Sequence, residues 1–312
     1  MAVDLLGGDQ APAVVVDGAL RACQADPALQ LLLVGPVEAA DAILGALGPA
    51  ERDRVRAVPA PTGLQSHDRD ASSVESGVRT AVLAVAQGRA DAVISAGNTG
   101  ATVTSAALGL GRWPGVRRPP LAAVLPSAAG RLVLLDVGSS VDPDEATLAM
   151  HARLGAAYAA VVHRVAAPRV GLLTIGTERG KGDRLRRAAP AHLAALDLPG
   201  GGRYAGLIEG NDVVTGAPAD VVVTDGFTGN VLLKGLETAY ALVGPPQPDD
   251  IPPRAAVLLG VGGTVVVCHG AASGADIAAG IGFAADLHRR SAVPAIADLI
   301  TGSDPHSPRG GS

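Results

Sequence analysis

The chain has 312 residues, long enough for one large or two modest domains with a substantial core. Hydrophobic residues make up 48% of it but aromatics only 2%, so the interior has to be built from Ala, Val and Leu. A net charge of −5 without a strongly basic stripe argues against nucleic acid as the main partner. Two cysteines, Cys23 and Cys268, are too few for a disulfide framework, though an even count leaves room for one bridge; they fit a reducing cytoplasm. Met1-Ala-Val-Asp lacks the basic start of a signal peptide, and the longest apolar run, 14 residues at 255–268, is shorter than the ~20 that a spanning helix needs. A soluble, cytoplasmic protein is expected.

Residues 1–6 predict a strand that opens into Gly7-Gly8-Asp9-Gln10-Ala11-Pro12, where Pro12 suits the first turn of a helix. A strand at 29–34 leads to a helix at 37–47, with Glu38 favourably near its N-terminus. Residues 55–58 read as a strand, 59–73 as a polar loop and 77–87 as a helix. The strand 91–95, a glycine loop and the helix 99–108 follow, and the Pro- and Arg-rich segment from Gly111 to Pro120 is the clearest internal break. Strands at 121–125 and 132–135 flank a hairpin turn, and an Ala-rich helix spans 143–165. Next come a strand at 169–175, a polar glycine loop at 176–183, a helix at 184–196, and strands at 204–208 and 220–224. A helix from about residue 231 gives way to a connector at 244–253 with five prolines, which cannot be helical. A last strand at 265–268 precedes a closing helix that ends near residue 290, and residues 301–312 are expected to be a disordered tail.

Strands alternating with helices predict an α/β fold with a largely parallel sheet, whose ligands sit at the carboxyl ends of the strands. The expected organisation is a single α/β catalytic domain over 1–300, with a natural sub-division near 112–120. Glycine loops recur at the expected strand ends, and none of them is a P-loop or a convincing dinucleotide fingerprint. One phrase occurs twice. Ala90-Asp-Ala-Val-Ile-Ser-Ala-Gly-Asn-Thr-Gly-Ala101 and Ala219-Asp-Val-Val-Val-Thr-Asp-Gly-Phe-Thr-Gly-Asn230 share the Ala, the Asp, the second Val, both Gly and the Thr, with Ser95 standing for Thr224. Strand, glycine loop and helix N-terminus make a common device for holding an anion, so the echo predicts two loops facing one cleft. Lysine is rare: only Lys181 and Lys234 occur, against a background of arginine. A surviving lysine points either to a need for a compact ammonium or to chance.

In order and spacing, several phrases resemble bacterial phosphate acyltransferase, the acyl-carrier-protein:phosphate acyltransferase of phospholipid synthesis. They are Ala2-Val-Asp-Leu-Leu-Gly-Gly-Asp9, Ile94-Ser-Ala-Gly-Asn-Thr-Gly-Ala101, Leu134-Leu-Asp-Val-Gly138, the run from Arg169 to Glu178, Lys181-Gly182, Asp225-Gly-Phe-Thr-Gly-Asn230 and His269-Gly270. The resemblance implies attack of inorganic phosphate on a long-chain acyl carrier protein thioester, giving acyl phosphate and free carrier. It also implies a three-layer Rossmann-like fold similar to phosphotransacetylases and isocitrate dehydrogenase, a homodimer, attachment to the inner membrane surface, and no metal or dissociable cofactor.

Under this resemblance Lys181 and Asn230 are the catalytic candidates, the first on phosphate and the second on phosphate or the thioester oxyanion. His269 is either a general acid for the leaving thiolate or a packing histidine. Asn98, Thr99, Gly100, Gly226, Thr228 and Gly229 complete the phosphate and thioester cradle, and Asp225 orients Lys181 or a loop. Arg112, Arg117 and Arg118, or Arg184, Arg186 and Arg187, could grip an acidic carrier protein or the phosphates of coenzyme A. The chain departs from the family pattern at Gln10, Ser140, Val267 and the segment Asp70-Ala-Ser-Ser-Val74, and its proline connector replaces a long helical hairpin. A short-chain phosphotransacetylase acting on a coenzyme A thioester and a non-catalytic carrier-binding member stay open as alternatives.

Overall fold

The β-branched and aliphatic runs become strands buried along their whole length, as β1, β4, β9 and β11 below all are. Such strands are covered on both faces, which is the setting of a parallel sheet between helical layers. The computed structural model describes residues 1–312 except 61–70, 179, 249–250 and 303–312. Its first elements are β1 (Ala2–Asp4), α1 (Ala13–Ala25), β2 (Leu31–Gly35), α2 (Val37–Ala46), the single turn α3 (Pro49–Arg52), β3 (Val55–Pro59), α4 (Ala71–Ala86), β4 (Ala92–Ser95) and α5 (Thr99–Gly109). Next are β5 (Leu121–Ser127), β6 (Gly130–Leu135), α6 (Glu145–Val162), β7 (Arg169–Leu173), α7 (Arg184–Ala194), β8 (Arg203–Ile208), α8 (Gly210–Thr215) and β9 (Val221–Val223). The last are α9 (Gly226–Val243), β10 (Ala255–Leu258), β11 (Thr264–Cys268), α10 (Gly274–Arg289) and α11 (Ala292–Gly302).

The chain divides into two compact units, each made of two segments: Met1–Arg112 with Pro253–Arg290, and Trp113–Pro252 with the segment from Ser291 onward. The first unit orders its strands β3-β2-β1-β4-β11-β10. All its pairings are parallel except the β10–β11 hairpin. One helical layer contains α1, α2 and α10, and the other contains α4 and α5. Small residues bring α1 and α10 together: a Cβ at Gly18 would lie 2.5 Å from the Ile277 side chain.

The second unit orders its strands β5-β6-β9-β7-β8. Here β5 and β6 form the expected antiparallel hairpin, and β6, β9, β7 and β8 run parallel. Helix α6 packs against α7 and α11, while α9 lies against β6 and α8 against β5. With so few aromatics, Tyr158 and a set of leucines are the largest fully buried side chains.

The expected element types recur along the chain, with informative differences. Helix α4 starts at Ala71, well before residue 77, and the preceding part of the expected loop, 61–70, lies outside the described residues. The run 255–268 is a hairpin, because Gly260, Gly262 and Gly263 break it between β10 and β11. Helix α9 starts at Gly226 rather than near Val231, since Asp225 caps it there. The short α8 went unread, and residues 301–302, expected in the tail, are the last of α11; the tail residues 303–312 lie outside the described set. No helix among the described residues is long and apolar enough to cross a membrane. Cys23 and Cys268 are separate buried thiols.

Candidate active site

In the second unit the adjacent parallel strands β6, β9 and β7 send three loops from their carboxyl ends. They are the Asp136–Ser140 loop, the Asp225 cap of α9 and the loop that carries Lys181. Ligands of parallel sheets are bound at this end of the strands.

The middle loop is filled by the protein itself. Asp225 accepts from the Thr228 amide at 2.8 Å and the Thr228 hydroxyl at 2.7 Å, and the Gly226 amide donates to the Ser140 carbonyl at 2.7 Å. A Cβ at Gly229 would stand 2.0 Å from the Asp136 carbonyl, and one at Gly226 would stand 2.9 Å from the Ser140 backbone. These glycines therefore admit the chain's own Asp136–Ser140 loop. Asp225 forms a buried ion pair with Arg186. Burial alone would raise the Asp225 carboxyl, but the bonds from Thr228 and Arg186 outweigh it and hold the group below its ordinary value.

Asn230 is half-buried, and its amide nitrogen donates to the Val137 carbonyl at 3.0 Å. One of its two N–H groups is thereby committed, and it pins the neighbouring loop to α9. That loop is organised by Asp136, whose Oδ1 accepts from the amides of Leu121, Gly138 and Ser139 and whose Oδ2 accepts from Ser140 at 2.6 Å. Behind it, buried His151 holds the Arg118 carbonyl through Nε2 at 3.0 Å. Burial raises the Asp136 carboxyl and lowers the His151 imidazole, while the charge of each opposes the shift in the other. Sequence reasoning missed both residues; the signal was an Asp directly after a buried strand.

Lys181 is exposed, and among the described residues no ion pair holds its ammonium. Its loop ends at Asp183, which caps α7 by accepting from the Arg186 amide at 2.8 Å. Of the expected carrier-protein arginines, Arg186 is buried and turned inward, with its guanidinium hydrogen-bonded to the Leu173 carbonyl, Asp183 and Thr224. The others are exposed. Arg117 pairs with Asp144 at 2.6 Å and Arg184 with Glu145 at 3.4 Å, so the two flank the N-terminus of α6. Arg118 reaches the Ser140 hydroxyl at 3.4 Å, and Arg187 donates to the Gly182 carbonyl at 2.6 Å. Arg112 lies in the first unit, bridged to Val261.

The first unit gathers a second set of loops at the ends of β1, β4 and β11. The Asp9 amide donates to the Gly270 carbonyl at 2.8 Å, and a Cβ at Gly7 would stand 2.5 Å from the Gly97 nitrogen. Gly7-Gly8, the Asn98 loop and His269-Gly270 are thus packed together. Asn98 caps α5, accepting from the Ala101 amide at 3.0 Å. The amides of Thr99 and Gly100 have no hydrogen-bond partner among the described residues, and Gly100 is exposed. Beneath the loop, buried Asp4 accepts from the Ser95 hydroxyl at 2.8 Å, and Ser95 in turn accepts from the Gly97 amide at 3.0 Å. Burial pushes the Asp4 carboxyl up to about 6 against the bonds from Ser95 and Leu6. His269 is half-buried on its loop. Among the described residues no three His, Cys, Asp or Glu side chains form a metal-binding group.

Comparison with known proteins places these loops in a family. A family model described as "Fatty acid synthesis protein" matches residues 1–245. The chain is 40% identical to the phosphate acyltransferase of Thermobifida fusca over 89% of its own length and 84% of that protein. It is 34% identical to the phosphate acyltransferase of Heliobacterium modesticaldum over 97% and 98% of the two chains. Among solved structures, a branched-chain phosphotransacylase from Enterococcus faecalis has a similar fold, with a TM-score of 0.60, 17% identity and coverage of 93% and 99%.

Proposed function

The chain belongs to the fatty acid synthesis protein family, and on that footing we propose that it is a phosphate acyltransferase moving a long-chain fatty acyl group from acyl carrier protein to inorganic phosphate. The observation that carries this reading is the meeting of three loops at the ends of β6, β9 and β7, with exposed Lys181 on one and Asn230 at the root of another. A phosphate oxygen attacks the thioester carbonyl and forms the new P–O–C bond. The tetrahedral oxyanion collapses with loss of the C–S bond, and the carrier's thiolate takes a proton. Phosphate is nucleophilic once aimed and desolvated, so the protein's work is positioning and charge stabilisation. Lys181 supplies the compact positive charge that holds phosphate, and the second N–H of Asn230 is a donor for the oxyanion.

In the first unit the reading gives the N-terminus of α5, from Asn98 to Gly100, an anion-holding role, and His269 that of proton donor to a departing thiolate. Arg117, Arg118 and Arg184 form the cationic surface for the acidic carrier. The reading also expects a homodimer; exposed Phe227, Val231, Leu242 and Val243 on α9 support a face that a second copy covers. Sedimentation of the purified chain checks that expectation.

The deciding experiment incubates the chain with long-chain acyl carrier protein, with and without phosphate, and scores free carrier. Release that depends on phosphate is expected, and Lys181→Ala should lower it by about 10²–10³-fold. Release from acetyl coenzyme A in place of the carrier substrate would mark a short-chain phosphotransacetylase. Carrier binding without turnover would mark a non-catalytic member.

A further inference from the structure

Burying a guanidinium costs several kcal/mol unless every donor is met by an acceptor of good geometry. Arg186, the third residue of α7, is 8% exposed, and its acceptors come from three separate segments. Nε donates to the Leu173 carbonyl in β7 at 3.2 Å, and Nη1 donates to the Asp183 cap of α7 at 2.8 Å. Nη2 donates to the Thr224 hydroxyl at 2.8 Å, to the Asp225 carboxylate and, at 3.5 Å, to the Thr228 hydroxyl. The aliphatic stem is used as well. Gly182 has φ +86, and a Cβ there would stand 2.5 Å from the Arg186 Cβ, so the residue after Lys181 closes directly onto it. One side chain therefore holds the Lys181 loop on one side and the N-terminus of α9, which presents Asn230, on the other.

We propose that Arg186 is a positioning residue for acyl transfer: a buried clamp that fixes the Lys181 loop against the first turn of α9 and so sets Lys181 relative to Asn230. The proposal rests on the reading of Lys181 and Asn230 as the groups that hold phosphate and oxyanion. Arg186 touches neither substrate. Its work is geometric, and its planar fork is what the geometry requires, since an ammonium at the same place cannot reach acceptors on opposite sides. A second ion pair in the same unit provides the contrast. Arg169 and Asp220 join the amino ends of β7 and β9 with bonds of 2.8 to 3.0 Å, at the end of the strands without candidate residues. It ties the same two strands and positions nothing.

The test uses the full chain as wild type, Arg186→Lys, Arg186→Met and Arg169→Lys. Two quantities are read: amide hydrogen exchange over 176–183 and 224–230, and steady-state kinetics with long-chain acyl carrier protein and phosphate. Arg186→Lys should speed exchange in both segments together and lower kcat by roughly tenfold to 10²-fold, with the KM for the carrier unchanged. Arg169→Lys should lower the denaturation midpoint and leave both readouts as in wild type. In the Arg186→Met background Lys181→Ala should lose most of its effect, because residues that act as a unit are not additive. A kcat within about twofold of wild type in folded Arg186→Lys, or loosening of one segment alone, overturns the proposal. If Arg186→Met fails to fold, Arg186→Lys, which keeps the charge, carries the test. Exchange is read without substrate, so it decides the clamp even for a wild type that releases no carrier.

Discussion

The two copies of the repeated phrase align residue for residue and yet end in different structures. In the first copy α5 starts at Thr99, behind the neutral cap Asn98; in the second α9 starts at Gly226, behind the charged cap Asp225. The helix therefore begins two residues earlier in the second copy, because Asp225 stands where the first has Ala96, a side chain that cannot cap. The consequences diverge from there. Ser95 spends its hydroxyl on the Gly97 amide, while its counterpart Thr224 spends its own on Arg186. At α9 the chain supplies its own carbonyl and carboxylate to first-turn amides, and at α5 the amides of Thr99 and Gly100 have no hydrogen-bond partner among the described residues. A shared sequence pattern has become one self-filled helix end and one open one. On the proposed reading it is the open end that receives an anion.

The comparison can be broken most forcefully at Asp225. Asparagine caps a helix as well as aspartate, so Asp225→Asn isolates the loss of the buried pair with Arg186, expected to cost about 3–5 kcal/mol in urea unfolding. Asn98→Asp, the reverse change at the other copy, should leave stability unaltered.

A pH series sharpens the contrast from below the loops. Asp4 has a folded value of about 6 against an ordinary 3.8, so the folded state binds the extra proton between those values. Its contribution to stability is full below about pH 4 and is lost as pH rises through 6, a fall of about 3 kcal/mol that Asp4→Asn should flatten. The depressed Asp225, whose folded value lies below the ordinary one, has the opposite sign: its contribution is present above the ordinary value and is lost on acidification.

Glycine substitution gives the next effect. Gly229→Ala forces a methyl against the Asp136 carbonyl and should cost about 1–3 kcal/mol or more, whereas Gly100→Ala meets only the Asn98 side chain at 3.2 Å and should be within about 0.5 kcal/mol of wild type. The smallest effect tests the open end directly. Asn98→Asp adds a negative charge beside the free amides and should raise the KM for phosphate by about threefold to tenfold, with the melting temperature unchanged.

Much of this architecture was legible because a strand buried on both faces has a plain signature, as in Val221 to Thr224 or Ala92 to Ser95. Helix starts were harder. At 225–230 the glycines suggested a loop, yet Asp225 followed three residues later by Thr228 is a capping spacing and was the better guide. The burial of Arg186 was also written in the chain: with Ala189 and Leu193 it lies on one helical face, the buried one. Its neighbours Arg184 and Arg187 are exposed, which gives Arg184-Leu-Arg-Arg187 the composition of a surface cluster and masks that spacing. The acceptors of Arg186 lie at residues 173, 183, 224, 225 and 228, and no local pattern joins positions that far apart. Asp136 was harder to read for a different reason: its partners are backbone amides, which any sequence supplies.

The first unit borrows its interior from the far end of the chain. Strand β11, at residues 264–268, pairs with β4, which ends at Ser95. At ordinary synthesis rates the ribosome adds the intervening ~170 residues in roughly ten to thirty seconds. For that interval β4, four residues with no exposed member in the finished protein, keeps one edge open. The whole second unit's sheet and most of its helices are made in the meantime. Completion of the first unit is thus a late event in the life of each new chain, and the open strand edge is what a nascent-chain chaperone would meet.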